Sequence, residues 1–453
     1  MLFIILLLEG FITISVEILT IRQLMPFFGS SVVITSIIIG VFLLFLALGY
    51  WRGGAYRQDF FKQLSRNFAF SMVWVGIGLS YSLIAVFYYL SAYVAHLSFL
   101  TSLFLYLLLV LAPIVYWLGQ TIPLTTNLFS QKQRVSHISG RALFLSTLGS
   151  FLGALLTSLL LFQYVGVAWT VVINCALLFT LIIHMRLDSN LSGWHALWLL
   201  FAFVLILILN VNAENAQFKK TNNYANYQVI EPPDFSKLLQ VNQSNSSFLT
   251  ADKQGFPYIE TVRNILFKQL NLQRKQILVI GAGGFSLTAA GTNDNAVTYL
   301  DIDPDIKSIA EKYFLHQPID GMFVAQDARN YLQQNNLRYD VIFSDAYSNH
   351  ATVPAPLLTL EYFQSLANHL NAEGLLIINI IADPFFHDDY AKIVFNTIHA
   401  VFPYCAIVPL DWQYPLTNLL YICPNVPANP VVYRDDLTTA TLDFFNSRYI
   451  RER

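Results

Sequence analysis

Three aspartates, Asp301, Asp327 and Asp345, each close a short apolar run, in "VTYLDID", "MFVAQD" and "YDVIFSD". A fourth run, "ILVIG", leads into a turn that carries Gly281, Gly283 and Gly284. Small residues in such a turn let a ligand approach the backbone closely. A carboxylate closing the second strand, 20 residues after Gly281, can accept both hydroxyls of a ribose. No lysine follows the glycines in the Walker position, so the turn does not read as a phosphate cradle. One aspartate alone could merely cap the next helix. Four strand ends in register, three of them finished by Asp, point instead to a nucleoside-type ligand. His350 lies near Asp345, but its spacing is too weak for a catalytic assignment and it reads as a solvated loop residue.

The elements that must hold these residues follow from the pattern around them. From residue 277 strand-like and helix-like stretches alternate, ending with "GLLIINI", which argues for a parallel sheet with helices on both faces. Upstream, "YQVIE", "KLLQVN" and "SSFLTA" are short β-like pieces parted by turn residues, as in a small antiparallel sheet. The division expected is a linker and small β subdomain over 213–265 and a Rossmann-like domain over 266–453. Cys175, Cys405 and Cys423 have no metal-ligand spacing, and no metal is expected. Cys405 and Cys423 read as ordinary strand residues rather than as a bridge.

Residues 1–212 are of another kind. The 453-residue chain is 55% hydrophobic and only 12% charged, and the apolar excess lies almost wholly in this first part. Seven runs, near 2–20, 32–51, 68–90, 97–118, 142–164, 167–185 and 194–211, have the length of bilayer-spanning helices. The expected fold is therefore a membrane α-helical bundle of about seven helices, followed by a small β-sheet and an α/β domain. The first run carries no cleavage site for a signal peptide. Its Glu9 and Glu17 either face a bundle interior or lie near interfaces and pair locally, Glu17 with Arg22. Arg52, Arg57, Lys62, Arg66, Lys132, Arg134, Arg141 and Arg186 occupy the loops after even-numbered segments, against Arg22, Lys219 and Lys220 on the other side. The first group should be cytoplasmic, and seven crossings then put the C-terminal half outside. A net charge of −2 gives no basic face for nucleic acid.

With these residues in view, the chain resembles the spermidine synthase family, aminopropyltransferases on a methyltransferase-type Rossmann fold. It resembles most the branch with an N-terminal multi-pass membrane domain. "EGFITISVEILTIRQLMPFFGSS", "GVFLLFLALGYWRGG", "GQTIPL" and "GRALFLSTLGSFLGALL" are similar to that branch's membrane helices. "LDIDP", "QDARNYL" and "SDAYSNHATVPAPLLTLEYF" carry its soluble signatures. The resemblance implies a co-substrate, decarboxylated S-adenosylmethionine or S-adenosylmethionine, and no permanently bound cofactor. It further implies that Asp301 binds the ribose and that Asp327, followed by Ala328, meets the adenine. Gln228 would contact the nucleoside, and Gly281 and Gly283 would form the turn beneath it. Asp345 would be the base on the attacking amine, with Tyr258 and Glu260 near the amine site. The expected setting is the inner cell membrane, and a homodimer through the soluble domain stays open.

Three positions depart from the soluble enzymes. Gly284 replaces an aspartate of the glycine turn, Ser348 replaces a second aspartate after the base, and Ile259 replaces a histidine. The nucleoside site looks kept and the polyamine site eroded. The stretch from "LDWQYPLTNLLYICPN" onward has no match. Two enzymatic readings follow, aminopropyl transfer or methyl transfer from S-adenosylmethionine. A third is a membrane sensor or transport-coupled protein with a degenerate nucleoside domain.

Overall fold

A long apolar run satisfies its backbone internally only as a helix, and that is the form the first part of the chain takes. The computed structural model describes residues 2–29, 31–129, 134–186, 193–347 and 353–426. Among the described residues six helices are long and apolar enough to cross a membrane: α1 (Leu2–Phe28), α2 (Val32–Gly54), α5 (Phe99–Thr126), α6 (Ser136–Val165), α7 (Val167–Met185) and α8 (Leu197–Gln217). The segment expected at 68–90 is instead two helices, α3 (Phe60–Gly78) and α4 (Tyr81–Val94), bent by 64°. Two glycines, Gly76 and Gly78, precede the break. Ser80 then starts a new helix by accepting a hydrogen bond from the Leu83 N–H.

Successive helices run between two ends of the bundle. At one end Gln23 donates to the Leu79 carbonyl and Phe28 meets Phe99. At the other, Asn67 donates to Gln120, which lies against Gly53. Helices α1 and α6 touch closely because Gly10, Gly149 and Gly153 lack a Cβ. A methyl at any of the three would meet the facing backbone oxygen at 2.0–2.4 Å. Glu9 is buried in this seam, accepting from Thr13 at 2.9 Å and Ser146 at 3.2 Å. Of the two alternatives for these residues, the local Glu17–Arg22 pair is not formed. Arg22 is turned past the end of the bundle, toward Asn222 and Asn226.

The soluble half sits on the end that holds Gln23. Its first sheet is antiparallel, β1 (Lys220–Thr221), β2 (Asn226–Ile230), β3 (Lys237–Val241) and β4 (Ser244–Leu249), in that order. A short helix, α9 (Pro257–Arg263), leads to the second sheet. Its seven strands are β5 (Gln276–Ile280), β6 (Ala296–Asp301), β7 (Met322–Ala325), β8 (Tyr339–Ser344), β9 (Leu370–Ala382), β10 (Ala406–Pro409) and β11 (Thr417–Pro424). They lie in the order β10-β11-β9-β8-β5-β6-β7. Strands β5 to β9 pair in parallel, while β11 is antiparallel to both of its neighbours. The sheet is thus mixed, a methyltransferase-like Rossmann arrangement, where alternation alone suggested a wholly parallel one. Two apolar clusters, one on each face, contain Val279, Val341 and Ile377 on one side and Leu278, Ile342 and Leu376 on the other. This is the every-second-residue split of strands buried on both faces.

The cysteine expectation is overturned in the same region. Ala406 pairs with Ile422, which sets Cys405 opposite Cys423, and the two form a disulfide with Cα atoms 4.1 Å apart. Reading them as separate strand residues missed that their strands are neighbours.

Candidate functional site

A cavity of about 790 Å³ opens at the carboxyl ends of β5, β6 and β8. The parallel strands explain the place: the turn after each leaves its side chains facing one crevice where the chain order reverses. Gly281, Gly283, Asp301, Asp327, Ala328 and Asp345 all contribute to its wall.

Gly281 has φ +92°, and an added Cβ would stand 2.3 Å from the Asp345 carbonyl oxygen, so no larger residue fits between the two strand ends. Asp301 closes β6. Its Oδ2 accepts from the Ala282 N–H at 2.9 Å and its Oδ1 from the Asp303 N–H at 3.0 Å. Burial pushes this carboxyl above the usual carboxylate range against those two bonds, and the carboxylate edge is held toward the turn. Asp327 is the N-cap of the next helix, α10 (Ala328–Gln334), accepting from the Asn330 N–H at 3.0 Å. It caps and lines the cavity at once.

Asp345 follows β8 and lines the same cavity. Burial pushes its carboxyl up to about 7, although Asn379 donates to Oδ1 at 2.8 Å and the Tyr258 hydroxyl to Oδ2 at 3.0 Å. Burial and the nearby carboxylate also keep the Tyr258 phenol protonated, well above its ordinary range, so Tyr258 is a donor here. Asn379 is in turn fixed by Asn418, 2.9 Å away, and its carbonyl accepts from Tyr347. A carboxyl titrating near neutrality, in a lobe walled by Tyr258, Tyr347, Phe256 and Leu410, can exchange a proton with a bound amine.

Two expected residues are not brought into this arrangement. Glu260 turns to the Gly255 N–H and to Arg263, at 2.7 and 2.6 Å, and is outside the cavity wall. Gln228 alternates away on β2, and its neighbour Tyr227 lines the cavity instead, bonding Asp303. Ser348 and His350 lie outside the described residues. Gly284 is closed off: a Cβ there would meet the Phe314 ring at 2.4 Å, so the space an aspartate would need is filled by an apolar side chain.

Sequence reasoning also missed Asn379, Tyr347 and Asp303. A signal existed for Asn379, the one polar residue in the apolar run "LLIINII", since a buried polar group must find a partner.

Comparison with known proteins bears on the same region. Residues 256–412 match the family model described as spermine/spermidine synthase domain. The polyamine aminopropyltransferase of Vibrio vulnificus is 28% identical over 247 residues, 51% of this chain and 81% of that protein. A probable polyamine aminopropyl transferase of Bifidobacterium longum is 33% identical over 84 residues, 18% of each chain. A crystal structure of a probable spermidine synthase from Corynebacterium glutamicum matches 48% of this chain and 82% of its own, at 18% identity and a TM-score of 0.39.

Proposed function

We propose, from the premise that residues 256–412 carry a spermine/spermidine synthase domain, that this chain is a membrane-bound aminopropyltransferase-type protein. The observation that carries the reading is Asp345, a half-buried carboxyl in the cavity wall, held by Tyr258 and Asn379. In the reaction an amine nitrogen attacks the methylene bonded to the sulfonium of decarboxylated S-adenosylmethionine. The carbon–sulfur bond breaks, its electron pair stays on sulfur, and methylthioadenosine leaves as a neutral thioether. Asp345 takes the proton from the newly formed ammonium. Asp301 would hold the ribose and Asp327 the adenine edge, so that the protein contributes position and one proton acceptor.

The acceptor should not be a free diamine. Putrescine brings two ammonium groups, and in this lobe Asp345 faces them with Tyr258 and Tyr347, while Glu260 is committed to Arg263 and Gly284 is sealed by Phe314. Losing one charge-assisted contact costs about 1.5–3 kcal/mol, roughly ten- to a hundredfold in affinity. The test is the full-length protein in detergent with decarboxylated S-adenosylmethionine and a panel of amines, reading methylthioadenosine release. The expected result is slow putrescine turnover, faster turnover of a less charged amine, and loss of roughly a hundredfold or more in Asp345→Asn. Rapid putrescine turnover, or full activity in Asp345→Asn, overturns the reading.

The membrane part of the proposal is that the helices cross a bilayer seven times, with α3 as one crossing and α4 on the side of the soluble half. Every helix end that touches the soluble half, at Arg22, Tyr81, Gln163 and Val167, is opposite the basic loops. Positive residues favour the cytoplasm, which places the soluble half outside. An adenosyl donor is made in the cytosol, and this favours a second reading in which the domain binds a thioadenosine nucleoside without transfer. Nucleoside binding with no methylthioadenosine release from any amine would support that second reading over the first.

A further inference from the structure

The nucleoside lobe does not end at the soluble half. Met25, near the end of α1, forms part of the cavity wall. Three residues before it, Arg22 is 4% exposed and faces out of the bundle. Its Nε donates to the Asn222 carbonyl and its Nη2 to Asn226 Oδ1, both at 2.7 Å. The Asn222 amide then bridges both oxygens of Asp303, at 3.0 and 2.8 Å, and one of Asp305 at 2.8 Å.

Asp303 is a carboxylate only 2% exposed, and it needs that support. Besides Asn222 it accepts from the Tyr227 hydroxyl and from the Asp305 N–H. Its own N–H is one of the two donors that fix Asp301, at 3.0 Å. Lys220 and Gln163 hold Asp305 at 2.7 and 3.1 Å, while Arg22, whose charge acts on Glu214 as well as on Asp303, reaches Asp303 across Asn222. Three acidic residues two apart would otherwise repel one another around the buried Asp303. A guanidinium holding two backbone-linked asparagines fixes both the charge and the shape of that loop.

We propose that Arg22, on the first apolar helix, is a positioning residue for the ribose-binding carboxylate Asp301. The inference rests on the nucleoside reading of Asp301 and goes beyond it: the helical half is part of the binding site and not only an anchor. Arg22 touches no ligand; it acts through Asn222 and Asp303.

The experiment uses the full-length chain in detergent and calorimetric titration with methylthioadenosine and with its 2′,3′-dideoxy analogue. Arg22→Gln should weaken methylthioadenosine about tenfold and leave the dideoxy analogue unchanged, because only the ribose hydroxyls report on Asp301. In an Asp301→Asn background Arg22→Gln should add no further loss. A general structural role would weaken both nucleosides alike, and that outcome, or no loss for either, overturns the proposal. If Arg22→Gln does not fold, Arg22→Lys decides the matter. It keeps the charge but not the two-pronged contact, so a smaller loss confined to methylthioadenosine supports the proposal and equal affinities overturn it. Wild-type protein that binds neither nucleoside removes the nucleoside reading itself and this proposal with it.

Discussion

Asp345 combines two demands that oppose each other in water. To accept a proton it must be ionised, and to hold a cation away from solvent it must be buried. Burial with only two hydrogen-bond donors pushes it up to about 7. The sign of the consequence is fixed. In the proposed role of base Asp345 must be deprotonated, so kcat/KM for transfer should rise with pH through a midpoint near 7 and level off above it, without that limb in Asp345→Asn. Stability should move the other way. Below about pH 4 the group is protonated in both folded and unfolded chains. Between about 4 and 7 only the unfolded chain ionises, and the folded state loses stability as pH rises. Thermal melting at pH 8 should therefore find Asp345→Asn more stable than wild type, on the order of 1–3 kcal/mol. A variant that melts lower at pH 8 would contradict the burial argument. The three strand-end aspartates were legible in the sequence because a parallel sheet delivers its strand ends to one crevice. That Gln228 and Glu260 lie outside the cavity wall was not legible, since alternation on β2 and the competing Arg263 are facts of packing. Arg263 itself is held by the Ser286 and Leu287 carbonyls, from far along the chain.

Strands β10 and β11 are the elements that sequence pattern did not resolve. Read alone, "AIVP" is too short for a periodicity and "TNLLYICP" could be any buried run. Their antiparallel pairing follows from where β11 lands beside β9, with eight residues in register from Thr417 to Pro424. That pairing is also what brings Asn418 to Asn379 and so to Asp345, while the disulfide ties the far end of the same strand to its neighbour. Cys405 and Cys423 close a loop of 18 residues. Opening it by Cys423→Ser should lower stability by about 2–4 kcal/mol, read as a drop in the denaturation midpoint under non-reducing conditions. The drop should vanish when wild type is compared in reductant. If wild type and Cys423→Ser melt alike without reductant, the bridge does not brace this edge. The break between α3 and α4 was equally hidden. Hydropathy runs on unchanged through "GIGLSYS", and only the glycines and the Ser80 cap mark the bend.

For the whole molecule, the basic residues Arg52, Arg57, Lys62, Arg66, Arg134 and Arg141 gather at the bundle end away from the soluble half. If that end is cytoplasmic, a single cysteine at Arg57 should resist a membrane-impermeant thiol reagent in intact cells and react after permeabilisation. One at Phe235, 80% exposed on the soluble half, should react in both. The reverse pattern would invert the orientation. The contact between Arg22 and Asn222 also has a consequence in time. The two residues are 200 positions apart, and synthesis at about 5–20 residues per second separates them by roughly 10–40 s. During that interval α1 and its neighbouring helices are made, while the guanidinium has neither asparagine to receive it. A nascent chain stopped before the second half therefore presents an uncompensated arginine at the rim of an otherwise apolar bundle. Only the docking of the soluble half onto that end supplies the guanidinium with its two asparagine acceptors.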